Sequence, residues 1–310
     1  MDKKNLRIVF MGTPVIAKTV LTALIEEGYN IVGLIAQPDR PVGRKKELLP
    51  VPTKEVALNY GIPVFQPLKI RLEYDFLHEL KPDVIITLAY GQIVPQGVLD
   101  IPPLGCINLH GSLLPKYRGA APIQYALINN EKETGMTLME MTAAMDAGRM
   151  YAVKKVNIDE EDNSTSLFIK MGDAAKELIL EALPLYVDGK LEGIVQDENL
   201  VTFCPIIKKE QEKLSLELGV KDFLGWVRGL SEEPGGYVEV DNQKWKILKA
   251  KAFDNKEGIV GTLEVVNKKK LLLQLKDGRI EILRIQKEGK PKMDVVNFLN
   301  GVKVDGLIAK

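Results

Sequence analysis

Asn108 and His110 stand two residues apart at the end of an apolar run, Cys106-Ile107-Asn108-Leu109-His110, in a 310-residue chain with only two histidines. Side chains alternate along a strand, so the amide and the imidazole share one face while Leu109 takes the other. Gly111 and Ser112 break the strand and Pro115 restricts the next residues, which leaves the pair where strand gives way to loop. In open α/β sheets that carboxyl edge is where ligands bind. A carboxamide N–H beside an imidazole suits holding an oxygen that becomes negative while a carbonyl is attacked. An Asn-x-His at a strand end is also an ordinary satisfied polar pair, so a third group is needed to choose between the two readings.

Asp146 supplies it. Residues 136–141 alternate as a strand, Asp146-Ala147-Gly148 makes a turn, and residues 150–158 read as a second strand. An Asp-x-Gly turn is ordinary by itself. Beside an Asn–His pair, its carboxylate can orient the imidazole, keep it protonated and pass protons through a water. The other histidine, in Leu77-His78-Glu79-Leu80, reads as a helix-surface residue.

Asn108-Leu109-His110-Gly111-Ser112-Leu113-Leu114-Pro115, then Arg118-Gly119-Ala120-Ala121-Pro122-Ile123-Gln124, then Asp146-Ala147-Gly148, resemble the motifs of the formyltransferases that use 10-formyltetrahydrofolate. Among these the chain is most similar to the branch that formylates methionyl initiator tRNA. The resemblance spans nearly the whole chain from Arg7-Ile8-Val9-Phe10-Met11-Gly12-Thr13-Pro14 onward and weakens in the last third. It implies Asn108, His110 and Asp146 as the catalytic set. It also implies a folate site built largely of backbone from Ser112, Leu113, Leu114 and Pro115 and from the loop Ala89-Tyr90-Gly91-Gln92-Ile93, with Tyr90, Gly91 and Ile93 as contacts. The reaction it implies uses 10-formyltetrahydrofolate as co-substrate, with neither a metal nor a covalent enzyme intermediate.

The elements that must position these groups alternate strand and helix through the first two-thirds of the chain. Residues 7–11, 31–36, 63–65, 83–88 and 106–110 are apolar strands, and 15–27 and 165–186 are amphipathic helices, the latter with Asn163-Ser164 as caps. Apolar strands separated by helices predict a Rossmann-type, mostly parallel sheet with helices on both faces. A nicotinamide site is excluded, because Gly12 after the first strand has no partner glycine before Gly28 and no G-x-G-x-x-G cradle exists. Beyond a linker at 190–207 the pattern changes to a short helix, 220–230, and about five short strands, with Asp277-Gly278 as a hairpin signal. That predicts a small OB-like barrel. The domains expected are therefore 1–189, catalytic, and 208–310, a tRNA-binding barrel.

Charge supports this division. The net charge is zero, yet residues 208–310 hold 21 Lys and Arg against 16 Asp and Glu, leaving 21 against 26 in residues 1–207. A basic domain on an acidic one suits contact with phosphates, although a Lys-rich solvated face has the same composition. Residues 38–53, rich in proline and without helix or strand periodicity, read as a long loop carrying Arg40, Arg44, Lys45 and Lys46. By resemblance this loop meets the acceptor end of the initiator tRNA, and Lys268, Lys269 and Lys270, in a turn of the second domain, are further tRNA contacts. Two departures from the family stand out: Lys45 occupies a position where a glycine is common, and Ser231-Glu232-Glu233-Pro234-Gly235-Gly236 replaces an aromatic Pro-Trp-Pro run.

Two cysteines, Cys106 and Cys204, make no disulfide framework or metal cluster. Gly12-Thr13-Pro14 interrupts the apolar run after Lys3 and Lys4, which argues against a signal peptide. No apolar stretch approaches the ~20 residues of a membrane span. A cytoplasmic monomer is expected. Two rival readings remain: a formyltransferase for a nucleotide-linked amino sugar, which shares the Asn108–Gly119 run, and a non-catalytic tRNA-binding relative.

Overall fold

The computed structural model describes residues 3–42, 47–304 and 306–310. Contacts divide the chain into two units, one of residues 1–119, 134–157 and 168–203, the other of residues 120–133, 158–167 and 204–310.

The first unit is built on seven strands: β1 (Arg7–Gly12), β2 (Asn30–Ile35), β3 (Val64–Phe65), β4 (Val84–Leu88), β5 (Cys106–His110), β6 (Glu133–Glu140) and β7 (Met150–Asn157). Their order across the sheet is β7-β6-β5-β4-β1-β2-β3. β1 pairs in parallel with β2 and β4, β2 with β3, and β4 with β5, whereas β6 runs antiparallel to β5. All five residues of β4 are buried, as expected of a central parallel strand covered on both faces. The chain moves outward from β1 to β3, then returns on the other side of β1 to β4 and β5. This reversal opens a crevice at the carboxyl ends of the strands.

Val9, Met11, Ile35, Ile85, Val98 and Cys106 form one side's core, each such side chain worth ~1.5–3 kcal/mol of burial. Ile85 and Cys106 are register partners, and so are Thr87 and Asn108 two residues on. The face that is core at Cys106 thus turns polar at Asn108 and His110, where the strand reaches its edge. The helix Val15–Glu26 buries Ile16, Ala17, Val20, Leu21 and Leu24. Gly12 permits the approach that this requires: a Cβ there would lie 2.7 Å from both Ala17 Cβ and Leu88 O. Its role is packing, which agrees with the absence of a dinucleotide cradle.

The long helix runs Ser164–Val187. Asn163 and Ser166 cap its start reciprocally, Ser166 N–H donating to Asn163 Oδ1 at 3.1 Å and Asn163 N–H to Ser166 Oγ at 3.0 Å.

The second unit places the helix Val220–Leu230 against an antiparallel sheet of β8 (Tyr237–Val240), β9 (Gln243–Asp254), β10 (Leu263–Val266), β11 (Lys270–Leu275) and β12 (Gly278–Lys287), ordered β8-β9-β12-β11-β10. Its core holds Phe223, Val227, Leu230, Trp245, Ile247, Leu271, Leu273, Ile280 and Ile282. The C-terminal residues close this sheet, Ala309 bridging Val240 at the end of β8 and Ile308 bridging Thr262 beside β10. Closure removes the exposed edges of both outer strands. Asp277, the expected hairpin residue, also caps the helix by accepting Val220 N–H at 2.7 Å.

Three features differ from the sequence reading. Part of the expected loop is paired: Arg40–Val42 runs antiparallel to Glu47–Leu49, strands too short for periodicity to reveal. Lys270 is the first residue of β11 rather than part of the turn. The segment 120–133 joins the second unit by contact, its helix Pro122–Ile128 lying against Val220–Leu230. Gly225 and Gly229 make room, since a Cβ at Gly225 would stand 2.4 Å from Ile128 O.

Candidate active site

His110 is 5% exposed at the end of β5. Its Nε2 lies 2.8 Å from the carbonyl oxygen of Tyr117. A carbonyl can only accept, so Nε2 carries a proton and donates it there. Nδ1 is then the nitrogen that faces the chemistry, and Asp146 Oδ2 lies 3.6 Å from it. The same Asp146 oxygen accepts the Gly119 N–H at 2.9 Å. Asp146 has a left-handed backbone, φ 50°, within the turn between β6 and β7, and an aspartate tolerates this better than most residues. The turn between two antiparallel strands has brought a distant carboxylate to the imidazole. Asn108 sits two residues before His110, half-buried, and its carboxamide has no hydrogen-bond partner among the described residues. An uncommitted amide beside an imidazole with one free nitrogen becomes a donor pair for a developing oxyanion when Nδ1 also carries a proton.

The loop after β5 is braced from within. Ser112 Oγ donates to Lys116 O at 2.6 Å, Thr137 Oγ1 donates to Ser112 O at 2.6 Å, and Leu114 N–H donates to Thr137 Oγ1 at 3.3 Å. The Ser112 hydroxyl is thereby committed to the loop; Ser112 and Leu114 are buried, and Leu113 and Pro115 are half-buried.

The loop after β4 has positive φ at Ala89 (50°) and Gly91 (89°). Tyr90 is buried among core residues, and its hydroxyl has no partner among the described residues. Its carbonyl is taken by Gln37 Nε2 at 3.1 Å. Burial pushes the Tyr90 phenol up from its usual value, which keeps it neutral and out of acid–base work. Gln92 ties the loop down, accepting Ile70 N–H at 2.9 Å and donating to Pro67 O at 3.2 Å. Gly91 and Ile93 are exposed, Ile93 at 79%. β4 and β5 are parallel neighbours, so both loops leave the same sheet edge. Ile93 stands exposed, whereas the Leu113 side chain packs toward Gly135, where a Cβ would lie 2.6 Å from Leu113 Cδ2.

Cys106, on the same face as Asn108, is no rival nucleophile: burial pushes its thiol up to about 12. His78 is exposed on the helix Phe76–Leu80, with only a tilted ring contact to Tyr74. Among the described residues no group of three or more His, Cys, Asp or Glu could hold a metal ion.

Of the expected tRNA contacts, Arg40 is exposed at the base of the hairpin, and Arg44, Lys45 and Lys46 lie outside the described residues. The hairpin base is anchored by Asp39, which accepts Val51 N–H at 3.2 Å and Gln66 Nε2 at 2.9 Å and pairs with Lys54. Burial opposes ionisation of Asp39, but the bonds from Lys54, Gln66 and Val51 outweigh it and hold the carboxyl below the ordinary range. Lys268 and Lys269 are exposed at a turn where Asn267 and Lys268 have positive φ. Lys270 is engaged by Glu281 at 3.4 Å and lies 5.1 Å over the Phe253 ring. The acidic pair in the divergent 231–236 segment is neutralised internally, Glu232 by Arg284 and Lys292 and Glu233 by Lys292. Arg149 is exposed beside Gly193 and takes no part in the site.

Several participants escaped the sequence reading: the Tyr117 carbonyl, the Gly119 N–H, Thr137 and Gln196. Gln196 falls in the expected linker, yet residues 194–202 are bonded into the first unit. Met150 and Ile194 exchange backbone bonds at 2.9 and 2.8 Å, and Arg118 N–H donates to Thr202 O at 2.9 Å. No periodicity marks such a strap, because its bonds are to single residues scattered along the chain.

Among the described residues no helix is long and apolar enough to cross a membrane. Comparison with known proteins matches residues 6–183 to the formyl transferase family and residues 206–303 to the formyl transferase C-terminal domain. A methionyl-tRNA formyltransferase of Malacoplasma penetrans is 43% identical over 96% of this chain and 94% of its own. One of Dictyoglomus thermophilum is 40% identical over 97% and 98%. Among solved structures, HypX from Aquifex aeolicus in complex with tetrahydrofolic acid superposes with TM-score 0.68 at 19% identity. It covers 97% of this chain, which spans about half (48%) of HypX. An N-formyltransferase from Helicobacter canadensis with folinic acid and dTDP-3-aminofucose gives 0.68 at 18%, over 91% and 99%. These last two likenesses concern the fold. With both domain signatures in order and relatives matched end to end, the chain belongs to the formyl transferase family.

Proposed function

We propose that this protein transfers the formyl group of 10-formyltetrahydrofolate to the α-amine of methionyl initiator tRNA, the reaction that readies the first amino acid for translation. The observation that carries the chemistry is His110 with Nε2 committed to a carbonyl and Nδ1 facing Asp146, two residues from an uncommitted Asn108 amide. The acceptor is inferred from relatives that match through the C-terminal domain as well as the catalytic one.

The co-substrate supplies a formyl group on N10. As the methionyl amine attacks the formyl carbon, the carbonyl oxygen becomes negative, and the Asn108 amide and the His110 Nδ1–H hold it. Asp146, with Oδ2 3.6 Å from Nδ1, orients that imidazole. Through a water it accepts the proton the amine loses and returns one to N10 as the C–N bond breaks. Burial of His110 strengthens each of these interactions, because no bulk water competes. Gly91, Ile93, Leu113 and Pro115 line the folate site, with Ser112, Leu114 and Tyr90 shaping it from beneath.

The tRNA is met by Arg40, Arg44, Lys45 and Lys46 and by Lys268 and Lys269, with Lys270 a lesser contact because Glu281 already engages it. The catalytic domain is taken as 1–189, the linker as 190–207 and the tRNA-binding domain as 208–310, although residues 120–133 and 194–202 each bond outside those bounds. The reading extends to a cytoplasmic monomer.

The test is formyl transfer from 10-formyltetrahydrofolate to methionyl initiator tRNA, with a nucleotide-linked amino sugar as competing acceptor. Formylation of the tRNA is expected. Formylation of the sugar alone would keep the site and overturn the acceptor, and tRNA binding without any transfer would overturn the chemistry.

A further inference from the structure

Gln196 is 4% exposed and makes three hydrogen bonds, none of them within its own segment. Its Nε2 donates to Asp146 O and to Gly148 O, both at 2.8 Å, and so grips the catalytic turn on either side of Ala147. Its Oε1 accepts Arg118 Nε at 3.0 Å. Arg118, 4% exposed, is paired with Glu198 at 2.8 Å from the same strap. Four residues further along, Thr202 Oγ1 accepts the N–H of Tyr117 at 2.9 Å. Tyr117 supplies the carbonyl that holds His110 Nε2, and its φ of 62° needs support from outside.

We propose that Gln196 is a positioning residue: with Arg118 and Thr202 it fixes the two groups that face the two nitrogens of His110, Asp146 on one side and the Tyr117 carbonyl on the other. The inference rests on the formyl-transfer reading of that site. A buried glutamine with both amide hydrogens on carbonyls of one turn has a geometric purpose. Asp146 Oδ2 stands 3.6 Å from Nδ1, so a small movement of the turn decides whether carboxylate and imidazole engage. Displacement on the order of 1 Å in such a site can lower turnover ~100-fold. The strap also gives the residues between the two domain signatures, 184–205, a catalytic reason for their bonding pattern.

The chain's two histidines make the test direct. Gln196→Glu keeps the shape and the acceptor for Arg118 but removes both donors to the turn. It is expected to lower kcat ~10- to 100-fold, with KM for folate and tRNA within about 3-fold, and to displace the 15N imidazole resonances of His110 while those of His78 stay. Thr202→Val, a milder change at the other flank, is expected to move the His110 Nε2 resonance with the fold intact. His110 resonances unmoved in both variants would overturn the proposal, as would full kcat in Gln196→Glu. The spectra need no substrate, so failure of wild-type protein to formylate methionyl-tRNA would sink the functional reading without deciding the clamp.

Discussion

His110, proposed for the chemistry, and Lys268 and Lys269, proposed as tRNA contacts, are held in opposite ways. His110 is buried, has Tyr117 and Asp146 against its two ring nitrogens, and has one of those nitrogens committed. Lys268 and Lys269 stand exposed on a two-strand turn, and no ion pair holds them among the described residues. Acyl transfer requires donors already aimed at the place where charge develops, with water excluded. Phosphate contact requires reach and positive charge, and a fixed aim would only cost conformational entropy. The protein distributes its hydrogen bonds accordingly. The strap at 194–202, the brace through Thr137 and the Asp146 turn all converge on the imidazole, whereas Lys268 and Lys269 carry no such support among the described residues.

If that contrast holds, the largest effects belong to the oxyanion donors. Asn108→Ala and His110→Ala should each lower kcat ~100- to 1000-fold, with tRNA affinity unchanged in a binding titration. Turnover near wild type in both would end the assignment.

Next comes the turn that carries Asp146. A Cβ at Gly148 would lie 2.0 Å from Glu140 O, a backbone atom that cannot step aside. Gly148→Ala should therefore shift the turn, reduce kcat ~10- to 100-fold and lower unfolding free energy by ~1–3 kcal/mol, as denaturant titration would measure.

The two exposed lysines respond differently. Lys268→Ala with Lys269→Ala should leave kcat on saturating tRNA intact and weaken tRNA binding. The slope of log affinity against log salt should fall by about 1 for each phosphate no longer neutralised. Lys270→Ala should have less effect on that slope, because Glu281 and the Phe253 ring already engage its ammonium. Equal slopes for all three would mean that the ion pair opens on binding. Smallest of all, His78→Ala should change neither kcat nor affinity, since His78 is exposed on a helix surface with a tilted ring contact to Tyr74.

The central strands and long helices were legible because they are long, apolar and periodic. β5 coincides with the expected 106–110, and the helix at 220–230 is likewise matched residue for residue. Misread segments were those whose structure depends on distant partners. Arg40–Val42 and Glu47–Leu49 are three-residue strands that exist through each other. Residues 307–310 are too short to announce a strand, yet they close the second sheet. The strap at 194–202 has neither apolar period nor turn signal. Its meaning lies in where Gln196 and Thr202 arrive.

What the sequence by itself determined is where the proposed reacting groups stand: Asn108 and His110 share a face because strand geometry has period two, and Asp146 stands in a turn because Asp-x-Gly makes one. It also determined the two-part architecture, from the change between alternating strand and helix and clustered short strands. Only the tertiary structure decided which nitrogen of His110 is available, since that depends on a carbonyl seven residues away whose backbone is fixed by Thr202. It alone brought Asp146 within 3.6 Å, by a fold-back of β6 and β7 whose turn Gln196 holds. Local patterns encode periods and breaks, whereas the aim of a side chain depends on contacts between residues far apart in the chain, which no single stretch of sequence records.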